Sequence, residues 1–456
     1  MAYWTEVQPG LWQRPIGENE AMIKMIGDGG LPSGKDTWAV SATARFAGAS
    51  ALENLTQAVR DGWAALRFRH PSIAATVNGD VVQYHVPDEQ QQLAQWLDET
   101  FTVLPRGENV DQILGTLPPP ERFARCYYVE HTREVVLHLS HWRTDGIGAL
   151  HLLDALFSAA VERLDPNHQQ QQLHWGQEPI RLVPSVEQAL NLPATPTEAI
   201  TAATKTYLAT LANARGALGI PAGASQGPTA TRLPTLGFSV EQTTRLLLAC
   251  QHRGIRFEAA LNAAVTAAAY SIAATESKDQ HHCSTLRHSL RPHLPAPYDG
   301  IAGAAGLYTA GYFVKVPADS SWIDNARYFE SEYAKGATPD LLCSRRQYAR
   351  EMKQILISLP SNTGAPPPSG LDMSWVPGAQ DLVRTVYEDG NGSLLQVDRV
   401  GISVDVLSRH VYVFAWMFNG QIWCRPAFNR DFYNDGFADR VLGLVAEQLT
   451  RNLLDT

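Results

Sequence analysis

Residues 140–146 read SHWRTDG and stand between two apolar segments of different periodicity. Before them, REVVLHLSH alternates like a strand, and the preceding RFARCYYVE alternates in the same way and predicts a neighbouring strand. After them, IGALHLLDALFSAAVERL carries an apolar stripe at helical spacing. The order of strand, tight turn and amphipathic helix predicts an α/β arrangement with His141 on one strand face with Val135, Leu137 and Leu139, where the strand ends.

The histidine of this stretch is a candidate general base. An unperturbed imidazole has a pKa of about 6.5, which suits proton transfer near neutral pH. Asp145 can bond backbone amides or an arginine and so hold the turn, and we expect Gly146 to adopt a backbone angle that other residues resist. Taken alone, the spacing H-x-x-x-D-G also fits a structural histidine, so the motif needs its context.

The rest of the chain indicates two halves. A chain of 456 residues is too long for a single domain with one ordinary hydrophobic core. An Ala/Thr/Pro/Gly-rich stretch precedes a new helical pattern, where Ser239 and Gln242 have the spacing of a capping box. We therefore predict a first half over residues 1–185, a helix and crossover linker over 186–235, and a second half over 236–456.

Further elements are expected on either side of these boundaries. The opening stretch to about residue 40 is rich in Gly and Pro and is expected to lie across the surface. In the second half we expect strands near residues 283–290, 306–316, 394–416 and 421–428, and helices near 321–335 and 434–453.

Composition excludes several classes of function. The net charge of −9 argues against a nucleic-acid partner. No run of eighteen apolar residues predicts a membrane span, and the N-terminus lacks the features of a signal peptide. Five scattered cysteines are typical of reduced thiols. We therefore expect a cytoplasmic protein, and we expect it to be a monomer.

Bound cofactors and metals are not expected. There is no Gly-rich phosphate loop, so no nucleotide cofactor is indicated. One segment is crowded with potential metal ligands, whose spacing matches no recognised zinc pattern and whose strand alternation would separate neighbours. These residues are His281, His282, Cys283, His288 and His293. Three tryptophans, Trp375, Trp416 and Trp423, either line an acceptor pocket or belong to the core.

Five segments together resemble the chloramphenicol-acetyltransferase-like superfamily. That group includes the BAHD acyltransferases, the condensation domains of peptide synthetases, and trichothecene and alcohol acetyltransferases. The segments, in the order of the family, are LRFRHPSIAA, the H-x-x-x-D-G stretch, SVEQTTRLLLACQHRGIRFEAALNAAVTAAA, LRHSLRPHL and FAWMFNGQIWCRPAFNRDFYNDGFADRVLGLVAEQL. The resemblance covers most of the chain. It implies two similar halves, each a mixed sheet with helices, joined by a long crossover.

Two departures from the family pattern narrow the resemblance. Many relatives carry a second histidine where this chain has Ser140. The BAHD signature D-F-G-W-G is absent, and Asp398-Arg399-Val400-Gly401 is the nearest stretch. A trichothecene-acetyltransferase-like or condensation-like relative is therefore favoured over the plant-type BAHD group.

The resemblance also implies a site and a reaction. His141 would lie where the halves meet and act as general base, while an acyl group passes from acyl-CoA to a hydroxyl or amine of a small metabolite without an acyl-enzyme. Acyl-CoA would be a co-substrate rather than a bound cofactor. Arg291 would pair with Asp145, and Ser374 is the candidate oxyanion donor, with a plain surface loop as the alternative for its segment.

Two other functions stay open. A repurposed fold could catalyse a cyclisation, isomerisation or condensation without coenzyme A, because Ser140 and the region 374–401 depart from the family pattern. A non-catalytic binding module is the third possibility, and the intact H-x-x-x-D-G argues against it.

Overall fold

Two halves, each with its own core, make up the protein. The computed structural model describes residues 3–47, 55–87, 90–104, 109–164, 173–223, 231–232, 234–358, 369–388, 394–434 and 436–455. The first core draws most of its buried side chains from Trp4 to Leu182, and the second draws its own from Val186 to Leu453. The predicted α/β fold of two halves, with sheets and helices in each, is confirmed.

The main sheet of the first half contains the strand that leads to His141. Its described strands lie in the order Val386–Glu388, Leu394–Val404, Val40–Phe46, Glu134–Leu139, Arg125–Val129 and Phe101–Leu104. Neighbours are antiparallel except for the last two, which are parallel. The predicted pairing of RFARCYYVE with REVVLHLSH is confirmed.

A smaller antiparallel sheet flanks the first half. Its described strands are Thr5–Gln8, Leu11–Pro15, Val81–His85 and Thr76–Asn78. A helix, Glu18–Asp28, follows within the same opening stretch. The prediction that the chain to about residue 40 simply lies across the surface is therefore wrong, because Trp4 and Met22 are buried and Trp4 belongs to the first core.

The described residues of the second half form two separate ladders. One contains Leu236–Gly237, Gln421–Asn429, Val411–Phe418 and Leu371–Val376, with Thr231–Arg232 also paired to Gln421–Asn429. The other pairs His282–Ser289 with Thr309–Val316. The strands expected near residues 283–290, 306–316 and 421–428 are confirmed. The segment expected as one strand near 394–416 is two, because the chain leaves the sheet of the first half at Val404 and enters that of the second at Val411.

Helices cover the sheets of both halves. Those described are Glu18–Asp28, Leu55–Arg69, Gln90–Thr100, Val110–Leu114, Gly146–Leu164, Val186–Ala189, Glu198–Ala209, Val240–His252, Phe257–Ile272, Trp322–Lys335, Pro339–Ser358, Ala379–Leu382 and Phe437–Leu453. Ser239 accepts a hydrogen bond from the Gln242 N–H and completes the predicted capping box. None of these helices is long and apolar enough to cross a bilayer.

Among the described residues, segments assigned to the second half contact the first half at two places. The strands Val386–Glu388 and Leu394–Val404 come from the segment that the sequence assigns to the second half, yet they lie in the sheet of the first. The helix Pro339–Ser358, which sequence patterns did not indicate, packs against Glu18–Asp28. There Glu18 pairs with Arg346 and Arg350. Both contacts join the halves near the end of the strand Glu134–Leu139.

Candidate active site

The local structure of the motif separates the histidine from its strand. The strand ends at Leu139, and His141 begins a short 3-10 turn, His141–Arg143, before the helix Gly146–Leu164. The prediction that His141 shares a strand face with Val135 is wrong, because the turn takes His141 out of the ladder. The strand itself is central and buried on both faces, which fixes the backbone from which the turn departs.

A hydrogen bond fixes the tautomer of the His141 ring. Its Nδ1 lies 2.9 Å from the Thr144 carbonyl oxygen. Because a carbonyl oxygen can only accept, Nδ1 carries the hydrogen and the lone pair of the neutral ring is on Nε2. Nε2 bonds to no described residue, and His141 is partly exposed. The half-buried imidazole therefore presents a basic nitrogen.

The surroundings of His141 favour its neutral form. Burial lowers the pKa of the imidazole from its usual value, and the positive charge of Arg287 lowers it further. The Thr144 carbonyl and the Asp145 carboxylate raise the pKa, each by more than Arg287 lowers it, but burial is the largest influence and the pKa stays below its usual value. A neutral imidazole is the form that accepts a proton, so the charges suit a general base.

Asp145 and Arg291 join the two halves beneath His141. Arg291 Nη1 lies 2.6 Å from each carboxylate oxygen, and both side chains are almost completely buried. The carboxylate also accepts from the Gly148 N–H at 3.0 Å and the Tyr308 N–H at 3.0 Å. Burial alone would raise the pKa of the Asp145 carboxyl, but Arg291 and these two donors hold it below its usual range. The turn is therefore anchored to the second half through a charged, fully bonded group.

The second glycine after the aspartate is the one that the packing requires. A Cβ on Gly148 would lie 2.2 Å from the Ala304 carbonyl oxygen and 2.7 Å from Arg291 Nη2. Gly146 has an ordinary helical backbone, and a Cβ there would meet only Ile402 and Val376 at 3.6 and 3.7 Å. The predicted unusual backbone angle at Gly146 is therefore wrong. Gly148 was missed, although its position in GIG at the helix start was visible.

Ser374 lies on a strand that approaches the motif helix. It is half-buried in Leu371–Val376, where alternation places its side chain on the face shared by Asp372 and Val376. Val376 packs near Gly146, so this face is turned toward the motif. The alternative of a plain surface loop does not describe this segment, which is a strand paired in parallel with Val411–Phe418.

Sequence reasoning also missed Arg287 and Asp372. They form an ion pair at 2.9 Å beside the strand of Ser374. The clue was the alternation of His282–Ser289, which buries every second residue and leaves Arg287 on the other face from His288. Ser140, at the place of the family's second histidine, is buried and donates to the Pro120 carbonyl oxygen at 3.0 Å.

The remaining candidates do not converge on His141. His282 and His288 point to the buried face of their strand, and His288 stacks on Tyr312. Among the described residues, no three acidic, histidine or cysteine side chains are grouped as metal ligands. Trp416 is in the first core, and Trp375 and Trp423 are half-buried and pack against the cores.

Solved structures place this fold in a known class. The chain superposes on the TRI3 trichothecene 15-O-acetyltransferase from Fusarium sporotrichioides with a TM-score of 0.82, covering 99% of this chain and 98% of that one at 15% identity. This likeness is one of fold. The expected chloramphenicol-acetyltransferase-like fold is therefore confirmed.

Sequence relatives make the assignment specific. The chain is 40% identical to the acetyltransferase pigO of Monascus ruber over 442 residues, 94% of each chain. It is 25% identical to the O-acetyltransferase pigM of the same organism over 458 residues, 99% of this chain and 87% of that one. No protein-family model matches the chain. The chain belongs to the acetyltransferase family of pigO, and its fold is chloramphenicol-acetyltransferase-like.

The ion pair beneath the motif predicts a large loss of stability for Asp145→Ala. The change leaves Arg291 as an uncompensated buried charge, which costs about 3–5 kcal/mol in the free energy of unfolding. Urea unfolding at neutral pH measures it. Asp98→Ala is the control, because Asp98 pairs with Arg60 with 72% of its side chain exposed and should change stability by less than about 1 kcal/mol.

The same experiment has a pH dependence. The pKa of Asp145 is lowered in the folded protein, so its contribution is complete above the unfolded value of about 3.9 and disappears as the pH falls through the folded value. The gap between the parent and Asp145→Ala should therefore narrow on acidification. A gap that stays constant down to acid unfolding would contradict the ionised pair.

Replacing each of the two glycines by alanine should have a different effect on stability. Gly148→Ala forces a methyl group against the Ala304 carbonyl and should cost about 1–3 kcal/mol. Gly146→Ala makes only ordinary contacts and should leave the free energy of unfolding within about 1 kcal/mol of the parent. Thermal and urea unfolding of both variants compare them directly. Equal stabilities would show that Gly148 is not tightly packed.

Proposed function

We propose that this chain is an acyltransferase that moves an acyl group from acyl-CoA to a hydroxyl or amine of a small secondary metabolite, with His141 as general base. The observation that carries the proposal is the His141 ring itself: Nδ1 is bound to Thr144, which leaves the lone pair of Nε2 free to accept a proton in a partly exposed residue. The names of the relatives supply the reaction class, since both are acetyltransferases. The name of pigM, an O-acetyltransferase, favours a hydroxyl acceptor and an acetyl donor.

The reaction requires one proton carrier. Nε2 of His141 takes the proton of the acceptor hydroxyl while its oxygen forms a bond to the thioester carbonyl carbon. The carbonyl becomes an oxyanion, and Ser374 is the candidate donor to it. The carbon–sulfur bond then breaks, and the leaving thiolate takes the proton back from Nε2. His141 ends as it began, so no acyl-enzyme is needed.

Asp145 has a supporting role in this scheme. Its carboxylate is already used by Arg291, Gly148 and Tyr308, so it is not available to take a proton from the ring. It holds the turn on which Thr144 fixes the tautomer. Rate acceleration then depends on the position of His141 and on the donors around the oxyanion.

The first experiment follows labelled acetyl-CoA. Purified protein is incubated with isotopically labelled acetyl-CoA and a metabolite extract from the source organism, beside His141→Ala. General-base help is worth about 10²–10⁴, so the variant should lose at least that factor while its circular dichroism and melting temperature stay near those of the parent. Mass spectrometry follows the label into a new ester or amide.

Each result of that experiment has a distinct meaning. Label in a new small molecule with the parent protein alone supports acyl transfer and identifies the acceptor. A new product without label, again dependent on His141, would favour a CoA-independent cyclisation, isomerisation or condensation. Full transfer activity in His141→Ala would contradict the general-base assignment.

The low pKa of His141 predicts the acidic limb of activity. Because the base works in its neutral form and burial lowers its pKa, kcat/KM should fall only below about pH 6.5. The profile is measured over a pH range in which circular dichroism shows the protein to be folded. A midpoint above about 6.5 would show that the imidazole is more easily protonated than its surroundings imply.

A further inference from the structure

A second arginine faces the candidate base from the other half of the protein. Arg287 lies on the strand His282–Ser289, four residues before Arg291, and its positive charge acts on the His141 ring. Asp372, its ion-pair partner, lies on the same strand face as Ser374 and Val376, and Val376 packs near Gly146 of the motif helix. The ion pair of Arg287 therefore lies on the strand face that is turned toward the motif.

The position of Arg287 is fixed by three acceptors. Nη1 donates to the Met373 carbonyl at 2.7 Å and to the Thr285 carbonyl at 3.1 Å, and Nη2 donates to Asp372 at 2.9 Å. The side chain also lies over the Tyr412 ring, with Cζ 5.5 Å from its centre. Most of the side chain's freedom is thus already lost before a substrate arrives.

Part of this fixed cation remains available to bind a ligand. Three of its five N–H groups bond to these acceptors, so the Nε–H and one N–H of Nη2 bond to no described residue, and 32% of the side chain is accessible. Burial opposes the charge, but Asp372 holds the pKa of the guanidinium above its ordinary value, so the cation is permanent. A permanent cation with a free N–H beside the base is suited to bind negative charge.

Asp372 connects this cation to the candidate oxyanion donor. Its carboxylate accepts from Ser284 Oγ at 3.0 Å and from the Thr285 N–H at 3.2 Å, which joins the two ladders of the second half. Arg287 binds the carbonyl of Met373, and Ser374 is the next residue along that strand. Arg287 and Ser374 therefore belong to one rigid unit opposite His141.

We propose that Arg287, together with Ser374, stabilises the oxyanion that forms on the thioester carbonyl during acyl transfer. This inference rests on the proposed function. As the acceptor oxygen bonds to the carbonyl carbon, the carbonyl π electrons move to oxygen, and the charge is met by the Arg287 Nε–H. When the carbon–sulfur bond breaks, the charge leaves on the thiolate, which is protonated by His141. Arg287 keeps its proton throughout.

The geometry favours this role because the charge is fixed in advance. A donor that is already oriented in a site with little water needs no reorganisation when the transition state forms. The same charge also disfavours a protonated His141 before the reaction. Arg287 would therefore help both the start of the step, when the ring must be neutral, and its midpoint, when the oxygen is negative.

The test compares Arg287→Met with Arg287→Lys in steady-state acetyl transfer. Removing an oxyanion donor typically lowers kcat about 10²–10³-fold, so Arg287→Met should lose about that factor, and the lysine should recover part of it. The acidic midpoint of kcat/KM should move to higher pH in the methionine variant and stay near the parent value in the lysine variant. The charged groups that act on His141 in this comparison are Asp145, on its own turn, and Arg287, on the facing strand.

Two matched variants separate this role from structural support. Ser284→Ala removes another bond to Asp372 but leaves the guanidinium, so it should lower stability without moving the pH midpoint. Arg45→Met removes an arginine of similar exposure, paired with Asp398 in the first half, and should leave kcat and the midpoint unchanged. If Arg287→Met does not fold, Arg287→Gln replaces it, and the lysine variant should then be the faster of the two.

Three outcomes would overturn the assignment of Arg287. A parent-like kcat in Arg287→Met would do so, as would a raised acceptor KM with an unchanged kcat, which would indicate substrate binding instead. Equal losses in Arg287→Met, Arg287→Lys and Ser284→Ala with a fixed pH midpoint would indicate structural support alone. If the parent protein itself transfers no acetyl group, the proposed function fails first, and that result is distinct from these three.

Discussion

The buried ion pair of Asp145 and Arg291 is the interaction on which the site depends. It joins a turn of the first half to the end of a strand of the second. Such a pair costs desolvation that its attraction repays only when the remaining lone pairs are bonded, and Gly148 and Tyr308 supply those bonds. The pair forms only when the two halves are in contact. The turn that carries His141 is therefore held in position only when the halves are correctly docked.

The docking is reinforced by chain exchange. The strand Leu394–Val404 leaves the second half to pair with Val40–Phe46, next to the strand that leads to His141. Gly401 lies in this ladder, where a Cβ would come within 2.6 Å of Thr43 Oγ1. The stretch that weakly matches the BAHD signature is therefore a place where the strand Leu394–Val404 packs tightly against the strand Val40–Phe46. The two halves cannot separate far without breaking a central sheet.

How much of this the sequence could predict depends on whether local pattern or tertiary contact decides a feature. The strand Glu134–Leu139, the helix Gly146–Leu164 and the capping box at Ser239 follow from local periodicity and cap chemistry, and they were predicted. The place of Leu394–Val404 in the other sheet was not, because pairing partners leave no local signal. Arg291 came from a resemblance. Arg287 was missed because alternation along its strand shows which strand face a residue lies on but not which residues that face contacts.

The same distinction explains the two glycines. Gly146 was predicted to have an unusual backbone angle because it follows an aspartate in a turn, yet its backbone is ordinary. Gly148 is required by the Ala304 carbonyl and the Arg291 guanidinium, both remote in sequence. A small residue at 148 lets the helix start approach the second half closely enough for Arg291 to reach Asp145. The close approach that joins Arg291 to Asp145 is thus a consequence of packing, and the charged anchor of the turn follows from it.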